Sequence, residues 1–195
     1  MQPEIFYETM RRLHPLPPAE RHAAFADLHR QALAEYTGAV SRLDAAGAAC
    51  PSSDGRSLAA VIGHIAEWER FMILSCGEML AGVEKPQMLH GLRGWLAPDG
   101  ATQAFENIDA FNAFQLARQS SMPWAEIQST ALSAARTLYA LFTTPGLLDA
   151  ERLEVTAPAR QHLPDGTKLP MRAGWVIWWI VIEHEAAEHA ADLGI

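Results

Sequence analysis

Two carboxylate–imidazole pairs stand four residues apart near the end of the chain: Glu185 with His189, and His184 with Glu188. Residues at this spacing lie about 5–6 Å apart on one face of an α-helix, which suits two ligands of one metal ion. Because an α-helix turns about 100° per residue, His189 shares its face with Glu185 and Trp178. The helical phase therefore favours Glu185 and His189 as the inward-facing pair, with His184 and Glu188 on the flank of the helix.

A carboxylate that faces an apolar core needs compensation, because a buried charge without a partner is costly. His64 is the third ligand that we predict, since it lies on an apolar helix face with Val61 and Trp68. A set of His64, Glu185 and His189 leaves at least one coordination position open, as catalytic sites do. Two histidines and one carboxylate accept Zn²⁺ or Ni²⁺, and also Fe²⁺ or Mn²⁺.

Simpler interpretations of these residues stay open. His64 on its own fits a core histidine, and Glu185 with His189 fits an ordinary ion pair within one helix. His22 and His29 share a face of another helix and are alternative ligands.

Large aromatic side chains lie on the same two helices as the metal ligands that we predict. We expect them to line a pocket that excludes water from the metal, with packing in the core as the alternative. These pocket residues are Trp68, Phe71, Trp175 and Trp178.

The pattern of apolar residues has a helical period almost throughout, with little of the alternation that strands show. The predicted helices cover residues 19–46, 57–80, 105–119, 124–142 and 173–193, with a break at Pro123. Residues 83–104, which include Pro98, and residues 146–172 form two long connections, the second with room for a small hairpin. This pattern predicts an all-α four-helix bundle with two crossover connections, in one domain over residues 1–195 with residues 1–18 as an N-terminal extension.

The net charge of −8 argues against nucleic acid and against anionic membranes as partners. The longest apolar stretch, Ala173–Ile182, is far shorter than the roughly 20 residues that span a bilayer. The first residues contain no apolar signal region, and the two cysteines show no metal-binding spacing. We therefore expect a cytoplasmic protein with reduced thiols, acting on a small molecule.

Three segments resemble the DinB/YfiT-like superfamily. Residues 54–69, DGRSLAAVIGHIAEWE, resemble its helix 2 signature, whose histidine is matched by His64; Arg56 stands where the family often has Trp. Residues 108–112, IDAFN, resemble a run at the start of helix 3, and residues 184–193, HEAAEHAADL, resemble the last helix.

This resemblance implies a DinB-like four-helix bundle, often a homodimer, whose ligands are closest to the His, Glu and His of the maleylpyruvate-isomerase-like, thiol-transferase branch. It implies a divalent-metal-dependent transferase, isomerase or hydrolase that acts on a small electrophilic molecule, with a low-molecular-weight thiol as a further cofactor. One alternative is a stress-associated helical module that binds metal or ligand without turnover. Another is a helical interaction protein without metal, in which Glu185 would pair with a basic residue.

Overall fold

The structure, a computed structural model, describes residues 1–96 and 100–195. Pro98, part of the first predicted connection, lies outside the described residues. The helices are α1 Pro3–Leu13, α2 Pro18–Arg42, α3 Ala45–Ala48, α4 Leu58–Leu80, α5 Ile108–Gln119, α6 Trp124–Thr143, α7 Ala150–Glu154, α8 Ala173–Glu183 and α9 Ala190–Leu193. A 3-10 turn covers Gln87–His90, and a π-helical turn covers His184–Glu188 between α8 and α9.

The helix α4 lies at the centre of the bundle. It packs against α5, α6 and α8, while α2 packs against α6 and against the π turn. Its residues are apolar on nearly every side, which is typical of a helix with neighbours all around it. The all-α bundle predicted from the sequence is present.

Side chains cap the starts of α4 and α5, the first near the predicted residue 57 and the second three residues after the predicted start at residue 105. Ser57 accepts a hydrogen bond from the amide of Ala60 before α4, and Asn107 accepts one from Ala110 before α5. Pro123 separates α5 from α6, as expected from its missing N–H group. The first long helix ends at Arg42, four residues before the predicted end, because Asp44 caps the separate turn α3.

The connections between the long helices carry two antiparallel hairpins. Strands β1 (Arg93–Leu96) and β2 (Thr102–Ala104) form the first, with an irregular register between Arg93 and Trp95. Strands β3 (Pro158–His162) and β4 (Lys168–Arg172) form the second, in the connection where the sequence has room for a hairpin. Before the bundle, α1 buries Phe6 and Met10 completely in the main core, so the predicted extension contributes to that core.

The segment predicted as one helix over residues 173–193 is interrupted. α8 ends at Glu183, the π turn follows, and α9 begins at Ala190. The tryptophans of α8 are fully buried, and Trp178 stacks on Phe142 with ring centroids 4.7 Å apart. None of the helices in the described ranges is both long and apolar enough to cross a bilayer.

Gly174 is expected to be required for the packing of α8. A Cβ atom at Gly174 would lie 2.7 Å from Leu153 Cδ2 and 3.3 Å from Leu153 Cα, and the backbone of α7 cannot easily yield. We expect Gly174→Ala to lower the free energy of unfolding by about 1–3 kcal/mol in chemical denaturation. Gly77→Ala in α4 is the control, because nothing lies within 4 Å of its added Cβ, and it should stabilise the protein by about 0.5–1 kcal/mol. Equal effects of the two substitutions would contradict the prediction.

Candidate functional site

Three histidines from two segments meet at one end of the bundle. The ring centroid of His64, on α4, lies 5.6 Å from that of His189 and 6.2 Å from that of His184. His184 and His189 are both 8% exposed, and His64 is half-buried. The structure therefore brings together two of the residues predicted as ligands, His64 and His189, and adds His184.

The π turn explains why His184 joins this cluster. In a π helix the hydrogen bonds join residues five apart, so that residues at i and i+5 come to nearly the same side. His184 and His189 are five apart across the turn, and both face His64. The prediction that His184 lies on the flank is wrong, because it assumed the 100° step of an uninterrupted α-helix. A pair of histidines five apart is the sequence signal that could have indicated this geometry.

Two carboxylates flank the histidines. His184 Nε2 lies 2.9 Å from Glu188 Oε2, and this hydrogen bond is the main reason that the pKa of Glu188 falls to about 2. His189 Nδ1 lies 3.9 Å from Asp192 Oδ2, and the other oxygen of Asp192 accepts a hydrogen bond from the amide of Ser53. Burial is the largest cause that lowers the pKa of His64 to about 4, with His184 and His189 adding to it.

Glu185 lies in a second cluster, which is completely buried. Its carboxylate Oε1 is 3.5 Å from His29 Nε2, and the carboxyl group of Glu69 on α4 is close enough to act on it electrostatically. Glu69, Glu185, His29 and the neighbouring Tyr36 are each 0% exposed. The structure thus places Glu185 among these residues, while it groups His64 and His189 with His184.

Hydrogen bonding determines the state of this second cluster. Trp178 Nε1–H donates to His29 Nδ1 at 3.0 Å, so the proton of the neutral ring is on Nε2, which faces Glu185. Burial lowers the pKa of His29 to about 3 and raises the pKa of both Glu69 and Glu185 well above the ordinary value. His29 is therefore neutral, its Nδ1 has no free lone pair for a metal ion, and its Nε2 has no hydrogen-bond partner among the described residues. His22, the other alternative ligand, pairs through Nε2 with the carbonyl of Leu148.

The histidine cluster fits a divalent cation by its donor set. His184 Nδ1 and His189 Nε2 are buried and have no hydrogen-bond partner among the described residues. Two imidazoles on one zinc ion have ring centroids roughly 5 Å apart, given a Zn–N distance of about 2.0 Å. The observed 5.6 and 6.2 Å are slightly longer. In residues 1–96 and 100–195, no three His, Cys, Asp or Glu side chains stand close enough together to hold a metal ion.

A cavity of about 450 Å³ opens beside the histidines. His64, Asn112, His184 and Glu188 form its polar part, while most of the remaining wall is apolar. That wall includes Met88, Leu89, Leu92, Ile108 and Ile180. A volume of this size accommodates a small organic molecule. The first long connection and α5 supply much of the wall.

Only one of the four aromatic residues predicted for the pocket lines this cavity. Trp68 does so, and its Nε1–H donates to Asn112 Oδ1 at 3.1 Å. Phe71 packs behind it against Phe111, with ring centroids 5.4 Å apart. Trp175 and Trp178 are 0% exposed and pack against Phe25 in the core. Because α8 is surrounded by other elements, its aromatic face is buried against protein rather than against a ligand.

The comparisons with known proteins show the fold. No protein-family model matches the chain, and no match among curated proteins was found. Two solved structures match: the mycothiol-dependent maleylpyruvate isomerase and a histidine-to-alanine mutant of the same enzyme. Each has 16% sequence identity and a TM-score of 0.59 over 93% of this chain, which covers 62% of the length of the isomerase. The all-α fold of the DinB-like type is confirmed.

Proposed function

We propose that this protein is a divalent-metal-dependent enzyme that acts on a small electrophilic molecule, with a low-molecular-weight thiol as its co-substrate. The observation that carries the proposal is the cluster of three imidazoles beside an apolar cavity, with two buried ring nitrogens that lack a partner among the described residues. Partnerless buried nitrogens cost free energy in a protein that binds nothing there.

His64, His184 and His189 are the residues that would hold the ion, with Glu188 as a fourth polar group at the cavity. His184 takes the place that the sequence predicted for Glu185. Imidazole ligands favour Zn²⁺ or Ni²⁺, and they also accept Fe²⁺ or Mn²⁺ when a carboxylate is present. Such an ion, when bound, lowers the pKa of a thiol or water so that it is a nucleophile at neutral pH.

The side chains around the site have complementary tasks. The apolar wall excludes water from a bound electrophile, and Trp68 orients the amide of Asn112 at the edge of the cavity. Glu188 is ionised, because its pKa lies near 2, and its hydrogen bond orients the ring of His184. The thiol in the proposal is supported by the fold, which this chain shares with an isomerase that depends on mycothiol.

Metal content measured by mass spectrometry on tag-free protein tests the proposal. We expect near-stoichiometric metal in the native chain and its loss in His64→Ala and His189→Ala. His162→Ala is the control, because His162 is exposed on β3. Metal-loaded protein should then catalyse addition of a thiol to, or isomerisation of, small electrophiles. Native protein that takes up neither Zn²⁺ nor Ni²⁺ would refute the enzyme and leave a helical ligand-binding module.

A further inference from the structure

A second cavity, of about 230 Å³, shares His64 and Asn112 with the apolar cavity. Its lining differs in chemistry, since the side chains of Arg56, Gln115 and Gln119 form much of its wall. The imidazole of His64 therefore adjoins two cavities. The second, which we call the polar cavity after its guanidinium and amide groups, carries those groups among apolar ones. A single ligand that reaches both would pass His64 and Asn112.

Two glutamine amides in this polar cavity lack partners. Gln115 is 1% exposed, and neither its nitrogen nor its oxygen has a hydrogen-bond partner within the described parts of the chain. Gln119, one turn further along α5, is 5% exposed, and its Nε2 likewise has none there. An unsatisfied buried polar group lowers stability, so proteins rarely retain one without a use. Both amides line the same cavity, which indicates that a ligand supplies their partners.

Gly63 allows Gln119 to reach this position. A Cβ atom on Gly63 would lie 2.7 Å from both Cδ and Oε1 of Gln119. The amide of Gln119 therefore packs directly on the backbone of α4, at the residue before His64. The position of this amide is determined by close packing, as is usual for groups that recognise a ligand.

The groups around the cavity are mainly hydrogen-bond donors. Trp68 occupies Asn112 Oδ1, which leaves the Nδ2 amine of Asn112 as a donor. Arg56 Nε donates to Asp54 Oδ2 at 2.7 Å, so its charge is already balanced by a carboxylate. The unpartnered donors are then Asn112 Nδ2, Gln115 Nε2 and Gln119 Nε2, and a ligand that satisfies them must carry an acceptor oxygen. Gln115 Oε1 is an acceptor and requires one N–H group from the ligand. A neutral carboxamide supplies both.

We propose that the polar cavity binds a carboxamide group of the same ligand whose other end lies in the apolar cavity beside His64. The inference rests on the proposed function, because it takes the ligand to be one that reaches the three histidines. This proposal predicts the chemical class of the substrate or thiol: a molecule with an amide group adjacent to its reactive end. Gln115 and Gln119 are the residues that select it.

Nuclear magnetic resonance on metal-free, ¹⁵N-labelled protein tests the polar cavity alone. Propanamide should shift the side-chain NH₂ signals of Gln115 and Gln119 saturably, with an affinity roughly tenfold above that of propanoate. Gln115→Met and Gly63→Ala should each abolish the response, the second by displacing Gln119. Gln31→Met, at an exposed position on α2, should leave it unchanged.

Signals that do not move would mean that the cavity holds only water, and the proposal would be overturned. Tighter binding of propanoate, lost in Arg56→Met, would overturn it in favour of a carboxylate.

Two thiols with the same three-carbon chain, one with and one without an amide, then test the link to the metal. On Zn²⁺-loaded protein, 3-mercaptopropionamide should bind roughly tenfold more tightly than propane-1-thiol, and Gln115→Met should remove this preference. Equal binding of the two thiols to protein that holds zinc would overturn the link between the cavities. Failure of the protein to hold zinc would count against the proposed function, while the propanamide titration would still decide the chemistry of the polar cavity.

Discussion

Replacing His184 with alanine is expected to weaken Zn²⁺ binding more than the roughly 10–100-fold that loss of an outer-shell partner costs. The reason is geometric: the π turn places His184 beside His64 and His189, where its unpartnered Nδ1 is buried. Isothermal titration with Zn²⁺ would measure the affinity. The absorption spectrum of Co²⁺-substituted protein would report the change in ligands, independently of any activity.

Glu185→Gln is the matched variant, since it keeps the volume of the neighbouring side chain and removes its charge. Glu185 lies with Glu69 and His29, so we expect the Co²⁺ spectrum to stay unchanged and the affinity for Zn²⁺ to fall by less than about tenfold. The opposite pattern, with metal lost in Glu185→Gln and kept in His184→Ala, would show that the metal-bound protein has the uninterrupted α-helical phase. It would restore Glu185 as the ligand.

Replacing Glu69 with glutamine is expected to stabilise the protein at and above neutral pH. Burial, together with the adjacent Glu185 carboxyl, raises the pKa of Glu69 well above 4.5, so that the folded chain keeps this proton to a higher pH than the unfolded chain does. The amide of glutamine keeps the shape and donates to Glu185 without needing that proton. We expect a gain of about 1–2 kcal/mol in the free energy of unfolding at pH 8, as for one added buried hydrogen bond.

The pH dependence follows from the direction of this shift. Below the ordinary carboxyl pKa of 4.5, the folded and unfolded chains both carry the proton on residue 69. As the pH rises above this value, the unfolded chain releases its proton while the folded chain retains it. The free energy of unfolding therefore falls with pH, until the pH exceeds the raised pKa of Glu69 in the folded chain. Urea denaturation from pH 4.5 to pH 9 should show a smaller loss of stability in Glu69→Gln than in the native protein.

Glu67→Gln, two residues earlier on α4, is the control with the opposite expected sign. Glu67 is also buried, but it is paired with Arg118 and lies 3.1 Å from Arg70. Removal of its charge takes from these guanidinium groups the carboxylate that pairs with them and should cost about 1–3 kcal/mol. A loss of stability in Glu69→Gln at pH 8, like the loss expected in Glu67→Gln, would contradict the prediction for Glu69.

Local patterns in the sequence were sufficient to predict the architecture. The helical period of the apolar residues, together with Ser57 and Pro123, predicted α4 and the break between α5 and α6. These signals are reliable because caps and prolines act within one turn of the chain. The same reasoning predicted His64 and His189 as members of one site, since each lies on the inner face of a helix.

The tertiary structure decided which side chains complete the site. The α-helical period predicted that Glu185 lies beside His189. In the structure a single π turn instead brings His184 to His64 and places Glu185 against Glu69, and no local propensity indicates this turn. The burial of Trp178 and the unpartnered amide of Gln115 depend on which elements face each other across the bundle. Such facts come from packing between segments that are far apart in sequence, and a side chain's own helix does not encode what lies opposite it.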